Sequence, residues 1–259
     1  MRGRIELLKR RPRIAIVGTR SPTPYGEAQA RRFAQALSES GATIVSGLAR
    51  GIDQAAHRAT LDVNGATIAV LGNGVDRPWP SGPLTDELAE RALLLSEFQP
   101  GEAPRPHHFP LRNRVISGLS VGVLVIEAAH ASGSLITARW AADQGRMVWA
   151  VPGRVDHPMS RGTHRLIREG ATLVESPDEI VREILGEAAL RPDSESEAGV
   201  QTSADEGRIL AALLGETLDA DALAVLTQLD PQTVLATLVG LEVADRVVRA
   251  PGGLYRRAR

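Results

Sequence analysis

The chain has 259 residues, 43% of them apolar and 24% charged, with a formal net charge of −1. That balance describes a globular chain with one substantial core and room for a small second domain; no apolar run approaches the roughly 20 residues that a membrane-spanning helix needs. Cysteine is absent, which excludes disulfides and thiolate metal sites, and the basic stretch at residues 1–13 has no apolar signal core, so the expected location is the cytoplasm.

The charge is unevenly spread. Residues 1–184 carry a net +4, residues 185–200 a net −3 and residues 201–259 a net −2, so an anion site belongs to the first part. Lys9 is the only lysine, and arginine supplies nearly all the positive charge.

After a basic segment at residues 1–12, Arg13–Val17 is a β-branched apolar run that ends at Gly18, Thr19, Arg20 and Ser21, and a helical pattern covers Pro24–Glu39. A second unit repeats the plan, with a strand at 42–45, the turn Ser46, Gly47, Leu48, Ala49, Arg50 and Gly51, and a helix over 52–63. A third strand at 67–71 ends in Gly72, Asn73 and Gly74, and a helix over 84–92 leads to Leu93–Leu95. Further on come a strand at 121–126, a helix at Ser134–Asp143, a strand at 147–151, and helices at 163–168 and 178–185. Unalternated apolar runs separated by helices are strands buried on both faces, so residues 13–185 form an α/β domain with a parallel sheet.

Residues 186–203 are rich in Pro, Ser and Glu and read as a solvated linker. Within residues 204–259, helical spacing at 205–214, 220–229 and 231–244 precedes a hairpin over 247–256 that turns at Pro251, Gly252 and Gly253. Three helices and a hairpin make a winged helix. Its third helix has no Lys or Arg between Pro231 and Leu241, which argues against ordinary major-groove reading.

In parallel sheets, ligands bind beyond the carboxyl ends of the strands. Those ends carry Gly18, Thr19 and Arg20; Ser46, Gly47 and Leu48; Gly72, Asn73 and Gly74; and residues 127–134 from Glu127 to Ser134. Small residues let an anion approach the backbone, and three of these loops open helices whose N–H groups favour phosphate.

One stretch stands out between the third helix and the strand at 121. His107, His108, Phe109, Pro110, Leu111, Arg112, Asn113 and Arg114 read as a loop that combines cations, an amide and a flat ring without a single acid. A nucleic-acid strand uses each part, with arginine for phosphate, a ring for base stacking and an amide for a base edge. In a plain connector, Phe109 is a core plug and the arginines are surface charges.

Other motifs fail on context. Gly118, Leu119, Ser120, Val121 and Gly122 match the hydrolase nucleophile pattern, but here a helix precedes and a strand follows, the reverse of what that serine needs. Asp53 and His57, with Glu127 or His130, are candidate metal or acid/base residues; the simpler reading makes Asp53 a dipole partner at a helix start, with His57 bonded to it or to a nearby loop. Trp140 and Trp149 read as packing residues. The phosphate-loop lysine motif, Gly-x-Gly-x-x-Gly and His-Glu-x-x-His are all absent.

Four motifs stand in one order over about residues 13–184. They are Ile16, Val17, Gly18, Thr19 and Arg20; residues 46–53 with Ala56 and His57; residues 109–116 from Phe109 to Ile116; and Ser132, Gly133, Ser134, Leu135, Ile136, Thr137 and Ala138. Together they resemble the DprA/Smf DNA-processing family. The resemblance implies an extended Rossmann-like domain that binds single-stranded DNA, dimerises and helps load the RecA recombinase in natural transformation, with no reaction, cofactor or metal. It places Arg20, Phe109, Arg112, Asn113 and Arg114 in the DNA pocket, with contacts from Gly18, Gly47, Ser132, Gly133, Ser134 and Thr137, with Thr19, Ala49 and Arg50 in the same motifs and Ser21 directly after the first of them. It places self-association or recombinase contacts at residues 162–168, through His164 and Ile167, and at Leu173. The chain departs from the family twice. Only about twelve residues precede the first strand where many members carry a small helical domain, and Trp79, Pro80, Ser81 and Gly82 stand where members often have a lysine, leaving Arg77 to supply that cation. The rival reading from another class is a Rossmann-like nucleotide phosphoribohydrolase, for which Glu127 is the one rim carboxylate in a comparable place, or a nucleotide-sensing module.

Overall fold

The computed structural model describes residues 1–186, 204–213, 216–244 and 246–258. The chain divides into two compact units, Met1–Arg191 and Pro192–Arg259.

In the first unit the strands are β1 (Arg2–Gly3), β2 (Arg13–Val17), β3 (Thr43–Ser46), β4 (Thr67–Val70), β5 (Leu93–Leu95), β6 (Gly122–Val125), β7 (Met147–Ala150) and β8 (Thr172–Leu173). The helices are α1 (Pro24–Glu39), α2 (Ile52–Asp62), α3 (Pro83–Arg91), α4 (His108–Leu119), α5 (Ser134–Asp143), α6 (Arg161–Arg168) and α7 (Pro177–Leu185). The sheet order is β1-β5-β4-β3-β2-β6-β7-β8. Strands β2 to β8 are parallel and β1 is antiparallel to β5.

Strand β2 shows why a parallel sheet forms. All five of its residues are buried. Ile14 and Ile16 pack on one face with Phe33, Leu37 and Ala56, while Ala15 and Val17 pack on the other with Ile116, Ala138 and Ala141. Helices thus cover both faces, and each fully buried Ile or Phe contributes roughly 1.5–3 kcal/mol relative to exposure. Helix α1 begins where Thr23 accepts a bond from the Gly26 amide at 3.0 Å and Pro24 occupies the first turn.

The order also locates the ligand crevice. From β2 the chain winds outward through β3, β4 and β5, then returns to lay β6 against the other side of β2. The winding direction reverses between β2 and β6, and open α/β sheets bind ligands at the carboxyl ends of such a pair.

Two expectations need correction. The stretch 107–114 is not a loop, because α4 begins at His108. Pro110 lies in the first turn, where its missing N–H has no intrahelical partner to lose. The basic segment at residues 1–12 is not separate from the sheet: Arg2 and Gly3 pair with Leu94 and Leu93, Leu7 is fully buried, and the Arg13 side chain donates to the Leu8 and Leu119 carbonyls at 2.6 Å each. Edge pairing runs through the backbone and leaves no side-chain period to read. Strand β8, which the apolar pattern did not announce, closes the other edge.

The second unit holds α8 (Ala204–Ala212), β9 (Thr217–Leu218), α9 (Ala220–Thr227), α10 (Pro231–Val243), β10 (Val247–Ala250) and β11 (Leu254–Arg257). Its sheet order is β10-β11-β9, antiparallel throughout, and Ile209, Leu223, Val234, Leu238, Val247 and Tyr255 share its core. This is the winged helix that the pattern implied. Apart from Gly186, the expected linker at 186–203 lies outside the described residues, as does Leu214 at the end of the expected helix 205–214. Among the described residues no single helix is long and apolar enough to cross a membrane.

Candidate nucleic-acid interface

The carboxyl rim is assembled from four loops and the first turns of α4. At the β2 end the Thr19 amide donates to the Glu127 carbonyl at 2.8 Å, tying the loops of β2 and β6 together. Gly18 permits this closeness, since a Cβ there would lie 2.6 Å from Ile52 Cγ1 and 3.0 Å from the Glu127 carbonyl oxygen. The Glu127 carboxylate is buried and occupied. It accepts from the Thr23 amide at 2.9 Å and from the Thr23 hydroxyl at 2.6 Å, so it serves the start of α1.

At the β3 end, Leu48 adopts a φ of 60°. Its left-handed turn, unusual for a branched residue, brings the loop amides on either side of it to one acid: Asp53 Oδ2 accepts from Gly47 at 3.0 Å and from Ala49 at 3.4 Å. Ser21 likewise donates its amide to Thr19 Oγ1 at 3.2 Å. The expectation of free backbone amides on the rim is therefore corrected at Thr19, Ser21, Gly47 and Ala49, whose N–H groups are all taken within the protein. The cations must carry the anion chemistry here.

Helix α4 supplies the rest, and its spacing sorts the residues. Phe109, Arg112 and Asn113 lie at i, i+3 and i+4 on one face. Phe109 is half-buried over Gly72, where a Cβ would stand 3.1 Å from the ring, and the Arg20 guanidinium carbon lies 5.8 Å from the ring centroid in a cation–π contact. The Asn113 amide donates to the Gly133 carbonyl at 3.3 Å, linking α4 to the β6–α5 loop. His108 is buried, stacked on Phe98 with ring centroids 4.2 Å apart, and its Nδ1 lies 3.1 Å from the Gly72 carbonyl.

Arg112 departs from the expectation of an outward phosphate ligand. It is only 5% exposed, donates from Nη1 to the Gly47 carbonyl at 2.8 Å and to the Val70 carbonyl, and donates from Nε to Asn113 Oδ1 at 3.3 Å. Burial lowers its pKa to about 10, opposed by Asp53 and reinforced by Arg20. Burial raises the pKa of Asp53, with Arg112 and the loop amides opposing. The pair fastens the ends of β3 and β4 to α4. It positions the rim.

Arg114 turns away from the Phe109 face. It ion-pairs with Glu97 at 2.7 Å, both side chains being 48% exposed. Arg20, Ser21 and Arg50 are exposed on the rim. Ser132 Oγ lies 2.7 Å from Ser134 Oγ and accepts from the Ser134 amide at 3.3 Å, while Gly133 is exposed and Thr137 is buried. Arg77, the expected substitute cation, is exposed, and its carbonyl accepts from Asn73. The rim thus brings together Arg20, Phe109, Asn113 and Gly133, with Arg112 beneath them and Arg114 on the outer side of the same helix.

The candidate metal or acid/base set does not converge. His57 bonds neither Asp53 nor a loop; its Nδ1 lies 2.7 Å from the Thr67 hydroxyl on β4, and burial, with Arg112 adding to it, lowers its pKa to about 3. Among the described residues, three or more His, Asp or Glu side chains are nowhere gathered as metal ligands. Ser120 is buried between α4 and β6 and donates to the Ile116 carbonyl at 2.9 Å, so it is not a nucleophile. Trp149 is fully buried and donates to Glu183 at 2.8 Å. One participant was not singled out from sequence. Glu97 neutralises Arg114, with no signal beyond its charge, whereas the small Gly72 under Phe109 was visible as part of Gly72, Asn73 and Gly74.

Residues 162–173 form the far flank of the unit. His164 Nε2 lies 3.0 Å from the Gly153 carbonyl, Ile167 is half-buried, and Leu173 on the edge strand β8 is 42% exposed.

Comparison with known proteins agrees with this architecture. Residues 1–185 match the family model of DNA recombination-mediator protein A, and residues 191–253 match that of the DprA winged helix domain. Protein Smf of Escherichia coli is 42% identical over 254 residues, spanning 95% of this chain and 68% of that protein. DNA processing protein DprA of Streptococcus pneumoniae is 46% identical over 184 residues, spanning 70% of this chain and 64% of that protein. The crystal structure of the Streptococcus pneumoniae protein superposes with a TM-score of 0.68 at 46% identity, covering 71% of this chain and 65% of that one. A Helicobacter pylori DNA processing protein A, whose structure is described for its single-stranded DNA binding mode, gives a TM-score of 0.66 at 32% identity over 71% of this chain and 85% of that one. The chain spans about two thirds of the length of the curated relatives it matches. On the strength of both family models and of these collinear relatives, the chain belongs to the DNA recombination-mediator protein A (DprA/Smf) family.

Proposed function

We propose that the chain binds single-stranded DNA across the carboxyl rim of its sheet, as a homodimer, and passes the strand to the RecA recombinase. One observation carries the reading: on the carboxyl rim, the exposed Arg20 from the loop after β2 stands over the half-buried Phe109 ring, which lies on Gly72 past the end of β4. A cation beside an aromatic face suits a phosphate and the base next to it. An unpaired base can turn onto Phe109, and a base inside a duplex cannot. The single-stranded DNA binding mode for which the Helicobacter pylori relative is described supports the same ligand.

Arg20, Arg50 and Arg114 contact phosphate in this reading, the last after releasing Glu97, while Asn113, Ser132 and Gly133 line the path. Gly18, Thr19, Ser21, Gly47, Ala49, Ser134 and Thr137 shape the rim, and Arg112 holds it in place. The exposed Leu173 on β8, with Ile167 and His164, forms the self-association or recombinase surface, and a second copy joined there sets two rims on one strand and raises avidity. No catalytic step is assigned, because Thr23 occupies Glu127, the carboxylate that a nucleotide hydrolase would use.

Titrating labelled single-stranded and duplex oligonucleotides of one sequence tests the ligand. Preference for the single strand, with no base released from nucleoside monophosphates, is expected. Equal affinity for both forms, or saturable mononucleotide binding indifferent to oligonucleotide length, contradicts it.

A further inference from the structure

We propose that the strand held at the rim runs on into the groove between α5 and α6, where Arg139 and Arg146 hold its phosphates. This deepens the single-strand reading and rests on it.

The groove encloses about 760 Å³. It opens at Ser132 and Gly133, the loop that Asn113 holds, and ends beside Arg146 and Met147 past the far end of α5. Its walls include Leu135, Ile136 and Leu166. Ten residues of helix span about 15 Å, room for roughly four phosphates at the 3.4 Å spacing of a stacked strand, and fewer in an extended one.

Charge selects the occupant. Three arginines line the groove against one glutamate, and Arg165 is matched with that Glu169 at 2.7 Å. Arg139 and Arg146 are left over; both are exposed, and among the described residues neither side chain has an ion-pair or hydrogen-bond partner. Two unmatched cations above an apolar wall suit a polyanion that also carries apolar sugar edges and base faces. An acidic protein segment would satisfy the charge. Continuity with the rim at Ser132 and Gly133 favours the nucleic acid.

The test compares oligothymidylates of about 6 and about 20 nucleotides, short and long against the usual footprint of a single-strand site. In the full chain, Arg139→Glu with Arg146→Glu should leave affinity for the short oligomer unchanged and weaken the long one. Removing two phosphate contacts lowers the salt slope for the long oligomer by about 1.4, so the parent gains about sevenfold more than the variant between ~200 and ~50 mM salt. Replacing both residues with lysine should restore the parent slope. Arg20→Glu should weaken both lengths. If the doubly substituted chain binds the long oligomer as the parent does, the groove path is refuted and the rim site stands; if the parent binds neither oligomer, the rim reading itself fails. A loss that appears only together with a changed oligomeric state in sedimentation, or one that equally affects the short oligomer, also overturns the inference.

Discussion

Replacing Arg112 with methionine separates a positioning arginine from a ligand-binding one. The substitution keeps the apolar stem and removes the guanidinium from the carbonyls of Gly47 and Val70 and from the neighbourhood of Asp53. Each orphaned carbonyl costs about 1–3 kcal/mol, so the two together put the expected loss at about 2–6 kcal/mol. All three tryptophans, Trp79, Trp140 and Trp149, lie in the first unit, so denaturation followed by their fluorescence reports on the sheet domain. The deficit should depend on pH. Without Arg112 the raised pKa of Asp53 climbs further above its unfolded value of about 3.9, so a further loss, absent below that value, adds to the pH-independent cost of the carbonyls as pH rises through the folded pKa. Adding Asp53→Asn should recover part of the loss, with a coupling of about 0.5–3 kcal/mol. A variant as stable as the parent that has lost DNA binding would refute the reasoning and make Arg112 a direct ligand contact.

Other outcomes follow from single contacts. Gly18→Ala should destabilise by about 1–3 kcal/mol in the same denaturation assay, because the new methyl meets Ile52 and the Glu127 carbonyl at 3.0 Å or closer; no change would mean the loops part freely. Thr23→Ala removes both a helix cap and a partner of Glu127, and a loss of about 1–2 kcal/mol is expected; its absence would free Glu127 for other roles. His57 is held neutral with its pKa lowered to about 3, so the folded state loses about 1.4 kcal/mol per pH unit as pH falls below the unfolded value of about 6.5. His57→Gln should flatten that acid limb in denaturation midpoints measured from pH 7 to 5, and parallel curves would contradict it.

Much of the fold is legible because strands buried on both faces leave unbroken apolar runs, as at Arg13–Val17, and because the glycines at their ends mark the rim. Helix α4 was hidden by Pro110, which breaks a helix interior but is harmless in a first turn. The strands Arg2–Gly3 and Thr172–Leu173 were invisible for a different reason, since two residues paired through the backbone carry no side-chain period. The composition of the site was legible, and its division of labour was not. Whether an arginine faces water or lies beneath a loop depends on partners far away in sequence: Asp53 and the Val70 carbonyl draw Arg112 inward, and Glu97 draws Arg114 outward. The left-handed turn at Leu48, which commits the Gly47 and Ala49 amides to Asp53, likewise follows from tertiary closure and not from residue type.

Salt-dependent anisotropy of a labelled oligothymidylate, recorded for the parent, Arg20→Glu and Phe109→Ala, bears on the rim itself. Arg20→Glu should bind more weakly with a log–log slope shallower by about 0.7 or more, and Phe109→Ala should lose about 1–3 kcal/mol with the slope kept. Parent-like affinity and slope in both folded variants would contradict a single strand lying across Arg20 and Phe109.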